Sequence, residues 1–240
     1  MATRYDNIGK GGIVKEGIFV RFPELIPASR DNYWNNPMHR KLMIVGESNY
    51  FKDNVDSVFK DPEAWYRGMD TLHLIPNDYK KKFENYKSDY PPFDRLRDSM
   101  NAVSNGLLHC SAIYEEAMYY NYFLRPAIGG KTFRKFCKPI DREVAGTALL
   151  GIIELDMPDI VIFASKYAYN EFRNYIKGKI GTCHCKYTVP DFKNYFELTG
   201  EVNVRIEFVY HPTSRFQKWD KNENSKQKFE RLLREYWIKK

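Results

Sequence analysis

The stretch Lys-Leu-Met-Ile-Val-Gly at residues 41–46 constrains the fold more than any other part of the chain. Its apolar residues are consecutive, with neither the alternation of a half-buried strand nor the 3.6-residue spacing of an amphipathic helix. A run this short and uniform suits a strand buried on both faces, as in a parallel sheet with helices packed on each side. Residues 159–164 and 204–210 supply two more such strands, and the strongly aromatic residues 117–123 a fourth.

The intervening segments carry helical spacing. Leu96, Met100, Val103 and Leu107 predict a helix over 94–108, with Pro91 and Pro92 ahead of it, where they cannot interrupt it. Val144, Ala145, Ala148, Leu149, Ile152 and Ile153 form one face of a helix over 141–155, with Asp141 as its cap. Ala168, Phe172 and Ile176 point inward from a helix over 166–177. Asn224 and Gln227 form a capping box ahead of Phe229, Leu232, Leu233 and Tyr236. Strands alternating with amphipathic helices predict an α/β fold, a three-layer α/β/α sandwich around a short, mainly parallel four-stranded sheet. No repeat, low-complexity tract or linker divides the 240 residues, so a single domain is expected. Within it, residues 1–40 read as an irregular N-terminal extension, because Gly9, Gly11, Gly12, Pro23, Pro27 and Pro37 break any period.

Composition removes several classes of protein. With 43% hydrophobic and 29% charged residues, the chain has the apolar content that a disordered protein lacks. Its longest apolar runs, 42–45 and 160–164, are far too short to span a bilayer, so no membrane association is expected. The start of the chain lacks an apolar run behind a basic head, and four cysteines without such a leader predict reduced thiols and a cytoplasmic location. The net charge of +7 and the 16% aromatic content suit a partner that offers phosphates and exposed bases.

In parallel sheets ligands bind at the carboxyl ends of the strands, so the residues there are the functional candidates. Gly46, Glu47, Ser48, Asn49, Tyr50 and Phe51 follow the first strand. Asn121 lies in or just after the aromatic strand, Ala164-Ser165-Lys166 follow the next, and His211-Pro212-Thr213-Ser214-Arg215 follow the last. In type and order these residues resemble the uracil-DNA glycosylase superfamily. Its members carry a first motif G-Q-D-P-Y-H or G-E-A-P-G, an Asn ending another strand, and a late H-P-S loop. The resemblance spans about residues 41–215 and implies a uracil-DNA glycosylase-like fold. It also implies a pocket for a flipped-out base, because the glycosidic bond cannot be reached inside a stacked duplex.

By position, the resemblance implies that Glu47 positions or activates the attacking water. Tyr50 would exclude bases bearing a 5-methyl group, and Asn121 would bond the Watson–Crick edge of uracil. His211 would donate to the uracil oxygen as negative charge builds on the leaving base. Gly46, Ser48, Asn49 and Phe51 complete the substrate-binding set. Three positions depart from the family pattern. Ser48 stands where the best-known members carry a catalytic Asp, Asn49 replaces the motif proline, and Arg215 replaces a duplex-wedging leucine. Some members hold an iron–sulfur cluster, but Cys110, Cys137, Cys183 and Cys185 lack its spacing, and no cofactor is expected.

Other patterns are weaker. Cys183-His184-Cys185 lacks the spacing and the fourth ligand of a structural zinc site, so no metal is expected. Gly129-Gly130-Lys131-Thr132 ends like a P-loop, but the earlier glycine falls on Arg125. Arg125, Lys131, Arg134, Lys135 and Lys138 lie together without an acid, interleaved with Phe133 and Phe136. With Thr213, Ser214 and Arg215 they form the candidate DNA-backbone contact. The sequence thus predicts a monomeric DNA-acting protein, on single or double strands, that hydrolyses the N-glycosidic bond of uracil or another damaged base. An alternative is a base-binding module on the same fold without cleavage. A serine hydrolase using Ser48 and His211 is a remote third, since Tyr50 replaces the last glycine of G-x-S-x-G.

Overall fold

The computed structural model describes residues 2–51, 61–68, 91–128, 132–180, 182, 187–189, 195–200, 203–213, 219 and 225–239. Its centre is a sheet of β1 (Leu42–Phe51), β2 (Met118–Ile128), β3 (Ile160–Phe163), β4 (Tyr187–Thr188), β5 (Phe196–Gly200) and β6 (Val204–Phe208). The order is β2-β1-β3-β6-β5-β4. β1 runs parallel to β2 and β3, and β3 parallel to β6. The four strands read from the sequence are therefore neighbours in one parallel array.

The sheet has six strands rather than the expected four. β5 pairs antiparallel with β6 and with the two-residue β4. In β5 only Phe196 and Leu198 are buried while Glu197 and Thr199 are exposed, the pattern of a half-buried antiparallel strand that a search for wholly apolar runs passes over.

The helices are α1 (Ile18–Arg21), α2 (Asp31–Asn35), α3 (Pro62–Arg67), α4 (Pro91–Val103), α5 (Ile113–Glu116), α6 (Pro139–Asp156), α7 (Lys166–Lys179) and α8 (Lys226–Leu232). Successive strand residues feed opposite layers. Met43, Val45, Val161 and Phe163 join Leu149, Ile152, Ala168 and Phe172 of α6 and α7. Leu42, Ile44, Ile160 and Ile162 join Leu96, Met100, Phe229 and Leu232 of α4 and α8. The first forty residues form α1, a 3₁₀ turn (Pro23–Leu25) and α2, and bury Tyr5, Phe19, Phe22, Leu25 and Tyr33 in the α6/α7 layer. Ala28 exchanges two backbone hydrogen bonds with Tyr119 (2.9 and 2.8 Å), which covers the outer edge of β2. Arg4 pairs with buried Asp156 at 2.8 Å and Tyr5 donates to the same carboxylate at 2.9 Å. Among the described residues no helix is long and apolar enough to cross a membrane.

Helix boundaries shift for identifiable reasons. Pro91 and Pro92 occupy the first turn of α4, where a missing N–H costs nothing. The helix ends at Val103, and Asn105 (φ 51°) and Gly106 (φ 82°) turn the chain. Leu107 is therefore left 59% exposed and Leu108 takes the buried place. Asp141 is not the cap of α6 but its third residue, with a carboxylate that reaches back to the Lys138 N–H at 2.8 Å. Of the expected capping box ahead of α8, Asn224 lies outside the described residues.

Asp141 has a second role, which overturns one expectation outright. Arg125 is not a surface cation. It is fully buried and grips Asp141 through Nε (2.8 Å) and Nη2 (2.5 Å), while Nη2 also donates to the Phe136 carbonyl at 2.9 Å. Tyr66 of α3 donates to the same carboxylate at 2.9 Å. On a strand alternate residues face inward, and an inward guanidinium requires a buried acid. Removing one partner strands the other charge. Asp141→Ala is expected to cost about 3–5 kcal/mol, whereas Arg125→Met with Asp141→Leu recovers most of that loss. Denaturant unfolding of the two variants beside the parent checks this.

Candidate functional site

β1 does not end at Gly46 but continues through Phe51, so the candidate motif lies within the carboxyl half of the strand. Gly46 pairs with Asn121 and Ser48 with Phe123. Beyond that point the register jumps, with Tyr50 opposite Ala127, so two residues of β1 span four of β2. Pro126, which has no N–H for the ladder, lies in this bulge.

Glu47 stands at the meeting point of three segments. Its Oε1 accepts from the Thr132 hydroxyl (2.8 Å) and from the Phe133 N–H (3.0 Å). Its Oε2 accepts from the Ser165 hydroxyl at 2.8 Å. Ser165 follows β3 and also accepts from the Ala168 N–H at 3.2 Å, which caps α7. A carboxylate offers about four lone-pair positions, so three bonds leave one on Oε2. Phe133 is held against Phe123 by ring stacking (centroids 4.4 Å, 24°), with the Arg125 guanidinium 5.2 Å from its centroid.

His211 is partly buried three residues beyond β6. The Thr213 N–H donates to its Nδ1 at 3.2 Å, with the Thr213 hydroxyl 2.9 Å from the same nitrogen. Because Nδ1 accepts a backbone N–H, the neutral ring carries its proton on Nε2. Burial pushes the imidazole pKa below its usual 6.5, and the nearby Glu47 charge opposes that shift.

The second half of the site is built on β2. The Tyr119 hydroxyl donates to Asn121 Oδ1 (3.1 Å), and Asn121 Nδ2 donates to Asn49 Oδ1 (2.8 Å). Gly46 is required beneath them, since a Cβ there would meet both Asn121 Oδ1 and Tyr119 Oη at 2.2 Å. Asn49 and Asn121 line a small cleft with room for only a water-sized group, together with Leu25, Ile26, Tyr120, Phe123 and Leu124. The N-terminal segment thus supplies part of the wall.

Sequence reasoning named Glu47, Asn49, Asn121 and His211, of which Asn49 and Asn121 are joined by a hydrogen bond and the Glu47 charge acts on His211. It named Ser165 only as a strand-end residue and missed Tyr119, Thr132 and Phe133 as residues that orient them. Tyr50 and Phe51 continue β1 opposite Ala127 and Ile128. Arg134 and Lys135 are exposed on the 3₁₀ turn (Phe133–Lys135), next to the Glu47 contacts, and Thr213 is exposed beside His211. Lys131, Ser214, Arg215 and the Cys183-His184-Cys185 segment lie outside the described residues. Ser48 is buried and its hydroxyl has no hydrogen-bond partner among the described residues, so no Ser48–His211 pair of nucleophile and base is formed. Among the described residues no cluster of His, Cys, Asp and Glu is arranged to hold a metal. No protein-family model matches the chain, and no curated protein matches it. The chemistry of the site therefore rests on its geometry.

The His211 environment has a measurable sign. With its folded pKa below 6.5, His211 costs no stability above that value. As pH falls from 6.5 through the lowered folded pKa, the unfolded chain takes up a proton that the folded state resists, and stability is lost. Glu47→Gln removes the charge that favours the imidazolium. An NMR titration of His211 is expected to show its pKa lower still in that variant, and an unchanged midpoint would separate the two groups electrostatically.

Proposed function

We propose that the chain is a DNA-acting protein of uracil-DNA glycosylase-like type that takes a flipped base at the carboxyl ends of its parallel strands and hydrolyses its N-glycosidic bond. The observation that carries this reading is a carboxylate held only by hydroxyl and backbone donors (Glu47) whose charge acts on a neutral imidazole (His211), with the Asn121 amide on the neighbouring strand β2. The resemblance of residues 46–51, Asn121 and 211–215 to that superfamily supports it.

The free lone-pair position on Glu47 Oε2 accepts a proton of a water and aims its oxygen at C1′ of the deoxyribose. The C1′–N bond breaks with its electron pair passing to the base, and the new C1′–O bond forms to water. Negative charge gathers on the base oxygen, where the Nε2–H of His211 donates. A neutral donor suits this step, because it stabilises the charge without first surrendering a proton. The proton released by water finally neutralises the base. The step draws only on water and on this chain's side chains, with DNA as the partner and a monomer as the acting unit. Arg134, Lys135 and the exposed Lys166 at the start of α7 flank the Glu47 contacts and supply cations for the phosphates.

A second reading, base binding without cleavage, draws support from Glu47 itself. Three of its acceptor positions are filled by donors from two loops, an arrangement that also serves purely to join them.

Cleavage of a uracil-containing oligonucleotide decides between the two. Glu47→Gln and His211→Ala are each expected to lower the rate by about 10²-fold or more with binding retained. Binding without cleavage by the parent chain would favour the second reading. In either case Arg134→Ala and Lys135→Ala are expected to weaken binding across sequences. Each lost phosphate contact reduces the log–log salt slope by roughly 0.7–0.9, as a titration at several salt concentrations would read.

A further inference from the structure

We infer that Arg95, near the start of α4, is a positioning residue for His211: it grips the Pro212 carbonyl, aims the Thr213 N–H at Nδ1, and so keeps the ring proton on Nε2. The inference rests on reading His211 as the donor to the leaving base.

Arg95 Nη1 donates to the Pro212 carbonyl. Pro212 is buried, and a buried carbonyl requires a donor. That carbonyl and the Thr213 N–H belong to one peptide unit. The unit is planar and trans, so its C=O and N–H point in opposite directions. The proline ring fixes φ at 212, which leaves the plane free to swing only about the two bonds that flank it. A guanidinium that holds the oxygen therefore sets the direction of the N–H, which meets His211 Nδ1 at 3.2 Å. A charged donor on the oxygen also polarises the unit and strengthens its N–H as a donor.

The helix that carries Arg95 is a firm support. Leu96 and Met100 share a core layer with Ile44 of β1 and Ile162 of β3, and Phe93 meets the Tyr119 ring edge-on (4.9 Å, 78°). The guanidinium thus ties the turn after β6 to an element already packed on the sheet.

The backbone N–H, rather than the Thr213 hydroxyl, selects the tautomer. The hydroxyl lies 2.9 Å from Nδ1 and can donate to a bare nitrogen or accept from a protonated one, so it tolerates both forms. The N–H only donates, and a protonated Nδ1 would meet it proton to proton. With Nδ1 bare, Nε2 carries the donor. The opposite tautomer would turn a lone pair toward an oxygen that is gathering negative charge. Arg95 touches neither base nor sugar in this account.

The imidazole nitrogen shifts of ¹⁵N-labelled protein, recorded at a pH where the ring is neutral, read the tautomer directly. Arg95→Met keeps the aliphatic stem and removes the donor. It is expected to lower the ratio of the Nε2–H to the Nδ1–H form about tenfold. Arg95→Lys retains a cationic donor and is expected to stay closer to the parent ratio. A role confined to packing α4 would move the unfolding midpoint and leave the ratio unchanged. Should Arg95→Met fail to fold, Arg95→Gln, which lacks the charge, carries the same expectation. An unchanged ratio in the folded variant overturns the inference. On a uracil-containing oligonucleotide Arg95→Met is expected to lower kcat and leave KM unchanged. A parent that cleaves no damaged base overturns the glycosylase reading, while the tautomer ratio still decides whether Arg95 sets the His211 proton.

Discussion

The edge of the sheet that carries the candidate site depends on one buried ion pair, Arg125 with Asp141. A charge pair with neither side chain exposed gains little over an apolar substitute, because desolvation offsets most of the attraction. Its consequence is geometric. Tyr66, the Lys138 N–H and the Phe136 carbonyl fill the remaining valences, so the start of α6 is fixed against the bulged end of β2. The chain between them is thereby anchored at both ends. Phe133 is wedged between the Arg125 guanidinium and the Phe123 ring, and its N–H meets Glu47. A structural pair thus sets the position of a candidate carboxylate to which it is not bonded.

The electrostatics of Glu47 follow from that placement. Its partners are two hydroxyls and one backbone N–H, and no cation pairs with it among the described residues. Its charge is held by dipoles rather than neutralised, so its field still reaches His211. The imidazole sits between two opposed effects, burial that favours its neutral form and Glu47 that favours its cation. With Nδ1 committed to Thr213, its chemistry is confined to Nε2.

The parallel array was legible because its strands are apolar on both faces, a pattern with few alternative solutions. The β4–β5 hairpin was not, since half of β5 is polar and its pairing is decided by β6. The cations at 125–138 look alike along the sequence. Only the strand's inward face and an acid sixteen residues later separate Arg125 from the exposed Arg134 and Lys135. Glu47, Asn121 and His211 were named as candidates from strand ends and motif order. The donors that hold Glu47 come from 85 and 118 residues away, a distance no local pattern bridges. Tyr119 was within reach, because period two on a strand already puts it beside Asn121.

The two positions that depart most from the resembled motif fit the local physics of this chain. β1 remains a paired strand through Phe51, and a proline at 49 would remove a backbone donor and with it the side chain that receives the Asn121 amide. Asn49 therefore exchanges a rigid turn for a hydrogen bond to the Asn121 amide. At position 48 the hydroxyl is already buried without a partner among the described residues, and a carboxylate there would lose its hydration with no donor from them in exchange. One residue earlier, strand alternation turns the side chain to the opposite face, where Thr132, Phe133 and Ser165 supply three donors. A negative charge on this stretch of β1 is stable at 47 and costly at 48, so the donor set itself favours Glu47 as the carboxylate available to a water.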